Sequence, residues 1–253
     1  MKNVQEKIDQ ADTLLGDGEA RGALNLLKSI SEDSLNGAPQ ETQYKYLEVL
    51  GEAYSENDME KEAIECFERA LRIQTSSKDV PFLYYNLGFA YSQLNDNKRA
   101  ISFLEESVRL ENRHEYLLNP LSHLATCYRE EGQYAKALSI NQRIIQEFYP
   151  PKGKLEAERV EMAYAGLVVC YLQLGNDEEA ERFFEKLIDD PNVEEGTLSG
   201  VYGACGNYCL EQNDFEKAVQ FYTKAIDYAK KASNNDLITH WKKWLLEAKE
   251  KSM

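Results

Sequence analysis

Apolar residues recur along this chain every three or four positions, which predicts amphipathic α-helices rather than strands. In the clearest stretch, residues 84–107, the small residue Gly88 is followed twelve positions later by Ala100. A polar Asn-Asp-Asn tract at 95–97 interrupts the stretch and predicts a tight turn with an N-cap. The stretch therefore predicts two helices folded back on each other, with small residues where their axes approach closely.

The same spacing recurs along the chain. Taking the small residue as a marker, successive markers are separated by 40, 37, 37, 43 and 38 residues, and they are Ala11, Gly51, Gly88, Ala125, Val168 and Gly206. An alanine stands twelve positions after every marker, at Ala23, Ala63, Ala100, Ala137, Ala180 and Ala218. A helical hairpin repeated with a period near 40 predicts an α-solenoid.

We predict thirteen helices, no strand, and one domain spanning residues 1–253. The six hairpins are placed at about 2–30, 41–74, 81–111, 115–148, 155–189 and 193–231, with a final helix at 235–250. The polar stretches at 31–40 and 75–78 are predicted loops. YPPKGK at 149–154 is interpreted as a loop within one array, the alternative being a domain boundary.

Both tryptophans of the protein lie in the final helix. Its apolar face consists of Leu237, Trp241, Trp244, Leu245 and Ala248. We interpret this helix as a cap that closes the open end of the solenoid, as repeat arrays require. The alternative hypothesis is an aromatic hot spot for a partner.

The repeated segments resemble the tetratricopeptide repeat family, and the resemblance covers nearly the whole chain. It is carried by LGEAYSENDMEKEAIECFERA, LGFAYSQLNDNKRAISFLEES, LATCYREEGQYAKALSINQRI, LVVCYLQLGNDEEAERFFEKL and CGNYCLEQNDFEKAVQFYTKA. The family's usual unit is about 34 residues, shorter than every spacing here. The longer units resemble those of kinesin light chains and of Rap-type peptide receptors. The resemblance implies a right-handed α-solenoid of six hairpins that holds a peptide or protein in its concave groove.

Charge and composition narrow the classes of partner. The net charge of −15, from 44 acidic and 29 basic residues, disfavours nucleic acid, because binding phosphates takes clustered Lys and Arg. It favours basic or neutral partners, although acidic residues also simply solvate an outer face.

No apolar run approaches the roughly 20 residues that cross a bilayer, so no membrane contact is predicted. The polar N-terminus is not a signal peptide, and the five cysteines are an odd number, which favours a reducing cytoplasm.

The sequence shows no pattern for catalysis. The three histidines stand apart, and Cys205 and Cys209 form at most half of a metal site, with buried structural thiols as the favoured interpretation. There is no phosphate-binding loop and no nucleophile elbow. We therefore predict a non-enzymatic protein with no metal and no cofactor.

The resemblance places candidate contacts on the first helix of each hairpin. The predicted peptide-binding residues are Phe82, Tyr85, Asn86, Phe89, Asn119, His123, Thr126, Met162, Val169 and Asn207, and the predicted electrostatic rim is Asp12, Glu48 and Glu52. Asn86 is expected either to bond the backbone of an extended peptide or to bond a neighbouring helix. Ala165, Gly166, Gly200 and Gly203 either leave room for ligand side chains or allow the superhelix to close tightly.

These residues predict a scaffold that holds an extended apolar segment with at least one basic residue. We expect the protein to be a monomer. A carboxylate-clamping chaperone adaptor is disfavoured, because Glu48 and Glu52 flank Lys45 and would repel a carboxylate. Two alternatives stay open. The chain is the sensor domain of a peptide-pheromone-responsive regulator, or it is a structural scaffold that uses its convex face.

Overall fold

The fold is all-α in the part of the chain that the computed structural model describes, residues 2–73 and 80–252. Those ranges contain fourteen α-helices, a single 3-10 turn at His114–Tyr116 and no strand. The helices are α1 Lys2–Gly16, α2 Ala20–Lys28, α3 Glu32–Asn36, α4 Gln40–Ser55, α5 Glu60–Ile73, α6 Val80–Gln93, α7 Asn97–Leu110, α8 Leu118–Glu130, α9 Tyr134–Phe148, α10 Lys154–Gln173, α11 Asp177–Asp189, α12 Glu195–Glu211, α13 Phe215–Lys231 and α14 Asn235–Ser252. The predicted fold class of successive helical hairpins is confirmed. The predicted connection at 75–78 lies outside the described residues.

The predicted count of thirteen helices was wrong, because the stretch at 31–40 contains the short helix α3. Ser31 accepts a hydrogen bond from the Ser34 N–H at its start, and Glu32 and Asp33 occupy its first turn. An N-cap and acidic residues at the positive end of the helix stabilise even a five-residue segment.

The chain forms two compact units, Met1–Cys127 and Tyr128–Met253. In the first unit α1 packs on α2, α4 on α5, and α6 on α7. In the second unit α9 packs on α10, α10 on α11, and α12 on α13. The boundary between the units falls inside α8, whereas residues 149–153 connect α9 to α10 within the second unit.

Each hairpin turn contains one residue in the left-handed region. In three of them the residue is glycine, Gly18, Gly132 and Gly175, and in three it is a short polar residue, Asp58, Asn95 and Asn213. These residue types adopt positive φ at low cost, which explains the polar breaks in the sequence pattern.

The marker residues are small because a large side chain of the second helix lies directly on them. A Cβ at Gly88 would stand 2.6 Å from Leu104 Cγ and 3.2 Å from the Ala100 carbonyl oxygen. A Cβ at Gly206 would stand 2.7 Å from Tyr222 Cδ1, and one at Gly51 would meet the Phe67 ring. All six alanines at the twelfth position are buried, as close approach of two helices requires.

The last helix packs on the hairpin before it. The Trp241 ring occupies the space beside Gly203, and its Nε1–H donates to Ser199 Oγ at 3.0 Å. Ser199 Oγ in turn donates to the Ala225 carbonyl at 2.9 Å. Trp241 is therefore a buried anchor between α12, α13 and α14, which supports the cap interpretation and removes this ring from any exposed hot spot.

We expect Ala100→Leu and Ala137→Leu each to lower the free energy of unfolding by about 1–3 kcal/mol, because the extra methyl groups have no space between the paired helices. Chemical denaturation followed by circular dichroism measures this. Ala135→Leu, the same change at an exposed position of α9, is the matched control. Equal stability of all four proteins would show that the repeat alignment is out of phase.

Candidate functional site

An aromatic strip lies on the first unit, formed by Phe82, Tyr85 and Phe89 of α6 with His123 of α8. Neighbouring ring centroids are 6.3 Å apart for Phe82 and Tyr85 and 6.4 Å apart for Tyr85 and Phe89. The His123 ring lies 5.8 Å from Tyr85 and meets Phe89 edge-on at 5.1 Å. Spacings of three and four residues place the α6 rings on one helix face. Phe82 is 40% exposed, so part of the strip faces solvent.

A pocket of about 490 Å³ lies beside this strip, and we call it the acidic pocket. Four helices of the first unit form it, with acidic side chains from α1 and α4 and aromatic side chains from α5 and α6. The lining residues are Asp12, Leu15 and Gly16 of α1, Glu52, Ser55 and Glu56 of α4, Phe67 of α5, and Phe82, Tyr85, Asn86 and Phe89 of α6. The sequence-predicted aromatic and acidic residues therefore meet at one place.

Lys45 neutralises two of the acidic residues near this pocket. Its Nζ lies 3.3 Å from Asp12 Oδ2 and 2.9 Å from Glu48 Oε2. Glu48 is only 6% exposed and also accepts a bond from Tyr44 Oη at 3.4 Å. The prediction of Glu48 as an exposed rim residue therefore needs correction, because a buried carboxylate needs this internal cation.

Glu52 has a different environment from Glu48. Burial raises the pKa of its carboxyl to about 7, the negative charges of Glu48 and Asp12 act in the same direction, and Lys45 opposes them. Burial raises the pKa of an acid because it destabilises the charged form. Glu52 is consequently shared between its protonated and charged forms near neutral pH.

Asn86 is almost fully enclosed, with 9% of its surface exposed, yet it lines the acidic pocket. Its amide favours the charged form of Glu52. Its Nδ2 nevertheless forms no hydrogen bond of normal geometry with any described residue. A buried donor without an acceptor is costly, so this amide is suited to meet an acceptor brought by a ligand.

A smaller pocket of about 190 Å³ lies along the other side of Phe82 and Tyr85. Its remaining lining comes from the starts of α6 and α8, from α7 and from the segment between α7 and α8, namely Pro81, Ser107, Glu111, Arg113, Glu115, Tyr116, Asn119 and Pro120. Arg113 Nε binds Glu111 at 2.8 Å, and its guanidinium lies 4.3 Å from the Tyr116 ring centre. Asn119, one of the predicted contact residues, thus lines this pocket. Arg113 was missed because it stands between two predicted hairpins, and Tyr116 because it stands at the very start of the fourth, before the helix that carries the repeat pattern.

Other predicted contact residues are engaged inside the protein. The Thr126 hydroxyl donates to the Ser122 carbonyl at 3.2 Å, and Asn207 Oδ1 accepts from the Tyr222 hydroxyl at 2.7 Å. Val169 is 7% exposed and belongs to the core of the second unit, which corrects its assignment to a ligand-facing surface. Met162 is 50% exposed on α10 of the same unit.

The small residues of α10 and α12 leave no room for a ligand where they were expected to. A Cβ at Gly166 would stand 2.7 Å from Asn141 Nδ2, and one at Gly200 would collide with Glu161 Oε1. With the Trp241 ring beside Gly203, a side chain of another residue occupies the space next to each of the three glycines. Of the two expectations for these small residues, room for a ligand and close packing of the helices, the second unit supports close packing.

Glu161 is enclosed by this packing. Burial raises the pKa of its carboxyl to about 7, while Thr197 opposes the shift and Glu158 adds to it. The same unit contains Cys205, Cys209 and Cys170, and burial raises the pKa of each of these thiols. A thiol that stays protonated is a poor nucleophile.

The described residues contain no group of three or more His, Cys, Asp or Glu side chains arranged to hold a metal. All five cysteines are free and buried. Within the described ranges, no helix combines the length and apolar character needed to span a bilayer. What the site offers is an aromatic surface between two pockets rather than a reactive group.

Tetratricopeptide repeat models match most of the repeat region. One covers residues 41–113 and 79–146, and another covers 163–189 and 199–231. The chain therefore belongs to the tetratricopeptide repeat family.

Among curated proteins, the chain is similar to the uncharacterized protein ycf37 of Cyanophora paradoxa, at 26% identity over 73 residues. This match covers 29% of the chain and 42% of that relative, so the chain spans less than half of the relative's length.

Two groups of solved structures share the fold. A putative kinesin light chain of Podosopora anserina has a TM-score of 0.58 at 20% identity, covering 72% of this chain and 92% of that one. The quorum sensor NprR of B. thuringiensis in its apo form has a TM-score of 0.63 at 17% identity, covering 93% of this chain and 68% of that one. NprR in complex with its cognate peptide NprX has a TM-score of 0.58 at 18% identity, covering 98% of this chain and 74% of that one. These are the two groups whose long repeats the sequence resembles.

We expect Glu161→Gln to stabilise the protein at pH 8 by about 1–3 kcal/mol and to change little near pH 4.5. The folded protein holds the Glu161 proton more tightly than the unfolded chain. The stability it contributes is therefore present below the ordinary pKa of 4.5 and is lost as the pH rises through about 7. Denaturant titrations at several pH values measure this, with the exposed neighbour Glu158→Gln as control. The same small effect for both variants at pH 8 would contradict burial of Glu161.

Proposed function

We propose that this protein is a non-catalytic scaffold that holds an extended protein or peptide segment against the aromatic strip of its first unit. The observation that carries the proposal is the partly exposed strip itself, with Phe82 at 40% exposure and a pocket on either side. Contiguous apolar rings at a surface are favourable to cover, and aromatic residues dominate the binding energy of many interfaces.

The two pockets define what such a segment carries. Apolar side chains cover Phe82, Tyr85 and Phe89, and a basic side chain enters the acidic pocket near Asp12 and Glu52. The Asn86 Nδ2 donates to a main-chain carbonyl of the segment. Asn119 lies in the smaller pocket and His123 borders the strip, so both stay in the proposed contact set. Met162 is exposed but belongs to the second unit, so it is not part of this set. Val169, Thr126 and Asn207 are left out because they are buried or bonded internally.

Membership in the tetratricopeptide repeat family supports a protein or peptide as partner, because such domains generally bind them without catalysis. NprR, which shares the fold, has been solved with its cognate peptide. A peptide-responsive sensor domain is therefore one form of the proposed function. The five free buried thiols support a reducing compartment such as the cytoplasm.

A second candidate is docking on the second helices of the last two hairpins. A pocket of about 320 Å³ lies between α11 and α13, with Phe184, Tyr202 and Phe221 in its wall and the exposed Ile188 at its side. This face would serve a scaffold that does not use the aromatic strip at all.

We expect Tyr85→Ala combined with Phe89→Ala to weaken binding of a partner by roughly 2 kcal/mol or more, because both rings would lie under the segment. A partner recovered by pull-down with the unmodified protein is titrated against this variant by calorimetry, after circular dichroism has confirmed folding. Ile188→Ala is the comparison variant. If it loses affinity while the double variant binds normally, the α11–α13 face is the site and the aromatic strip is not.

A further inference from the structure

Glu52 lines the acidic pocket and is only partly neutralised, because Lys45, the cation that lowers its pKa, also pairs with two other carboxylates. Lys45 is already placed between Asp12 and Glu48, at 3.3 and 2.9 Å. Within the described residues Glu52 forms no ion pair, although it lines the pocket. Since a half-buried carboxylate gains most from a partner of opposite charge, Glu52 is the position where an external cation would contribute most.

The charged groups around Glu52 come from two of the four helices that form the pocket, and polar groups come from a third. On its own helix α4 stand Glu48 and Lys45, with the exposed Glu56 at the mouth. Helix α1 contributes Asp12, α6 contributes the Asn86 amide and the Tyr85 phenol, and α5 contributes the uncharged Phe67. Among the described residues, Lys45 is the cation that acts on Glu52, and it faces Asp12 and Glu48 as well, so the negative charges around Glu52 exceed the positive ones.

We propose, on the basis of the function proposed above, that the acidic pocket binds one arginine side chain of the held segment at Glu52 and releases the Glu52 proton to solvent as it binds. The guanidinium takes the place of the proton as the counter-charge of the carboxylate. No covalent bond forms or breaks apart from the O–H bond of the carboxyl group.

The geometry favours a guanidinium over an ammonium group. A guanidinium pairs with a carboxylate through two parallel bonds and stacks on aromatic faces, and the pocket provides both, with Phe82, Tyr85 and Phe89 beside Glu52. The buried Asn86 Nδ2 lies close enough to Glu52 to lower its pKa but forms no hydrogen bond of normal geometry, so it can donate to the main-chain carbonyl of the same arginine. A pocket of about 490 Å³ accommodates such a side chain.

Proton exchange makes the affinity depend on pH in a defined direction. Burial raises the pKa of Glu52 to about 7, so the Glu52 carboxyl of the ligand-free protein is partly protonated at neutral pH. Only the charged carboxylate pairs with the guanidinium, so binding is strongest above pH 7 and weakens below it. From pH 8 to pH 5.5 the dissociation constant should rise about 30-fold, while the guanidinium stays charged throughout.

The experiment uses two neutral-ended probes, acetyl-Leu-Arg-Leu-amide and its citrulline analogue, which replaces the guanidinium with an uncharged group of the same shape. Both are titrated at about pH 8 and pH 5.5 into protein carrying ¹³C-labelled glutamate carboxyls. We expect the arginine probe to bind more tightly at pH 8, with a carboxyl resonance that titrates near pH 7 and shifts when the probe binds. The citrulline probe should bind weakly and equally at both values.

Glu52→Gln should remove the pH dependence and the titrating resonance, whereas Glu41→Gln, an exposed change on the same helix, should keep both. Equal affinity for the two probes, or for the arginine probe at the two pH values, overturns the arginine exchange while leaving strip binding intact. Absence of binding by either probe also overturns it. The partner titration with the Tyr85 and Phe89 variant then still decides the proposed function by itself.

Discussion

The contact between a small residue on one helix and a large side chain on its hairpin partner is the constraint on which this structure depends. Leu104 lies on Gly88, Phe67 on Gly51 and Tyr222 on Gly206, each sixteen positions further along the chain. Hairpins built on this contact bring helix axes close together and fix which face of the first helix remains outside. On α6 that remaining face carries Phe82, Tyr85 and Phe89.

The same packing explains why the two units offer different surfaces. In the second unit Asn141, Glu161 and Trp241 fill the spaces beside Gly166, Gly200 and Gly203. In the first unit the α6 residues facing outward are large, so their rings cannot all be enclosed and Phe82 stays partly exposed. Small residues allow neighbouring helices to pack closely, which leaves no exposed apolar surface between them. Large aromatic residues on an outer face leave an apolar surface that a ligand can cover.

Electrostatics then set the chemistry of the acidic pocket. Lys45 forms ion pairs with Asp12 and Glu48, which allows Glu48 to be buried, and leaves Glu52 as the carboxyl whose pKa is raised to about 7. With the buried Asn86 amide beside it, the pocket combines a proton-sensitive acid, an amide donor and aromatic walls. We propose that this combination favours a basic segment over a neutral one.

The sequence by itself determined the helical hairpins, their number and the aromatic residues of α6, because these follow from short-range spacing and residue size. It also placed Asp12, Glu52 and Asn86 on the first helices of consecutive hairpins, whereas their meeting in one pocket comes from the structure. Only the tertiary structure decided that Glu48 and Val169 are buried, that Trp241 fills the space beside Gly203, and that Lys45 pairs with Asp12. Those outcomes depend on which side chain of one helix reaches another helix, and spacing along a single helix does not contain that information. The short helix α3 was missed because the Ser, Asn, Gly and Pro residues of 31–40 are typical of a loop. Its N-cap and its acidic first turn nevertheless stabilise a helix there.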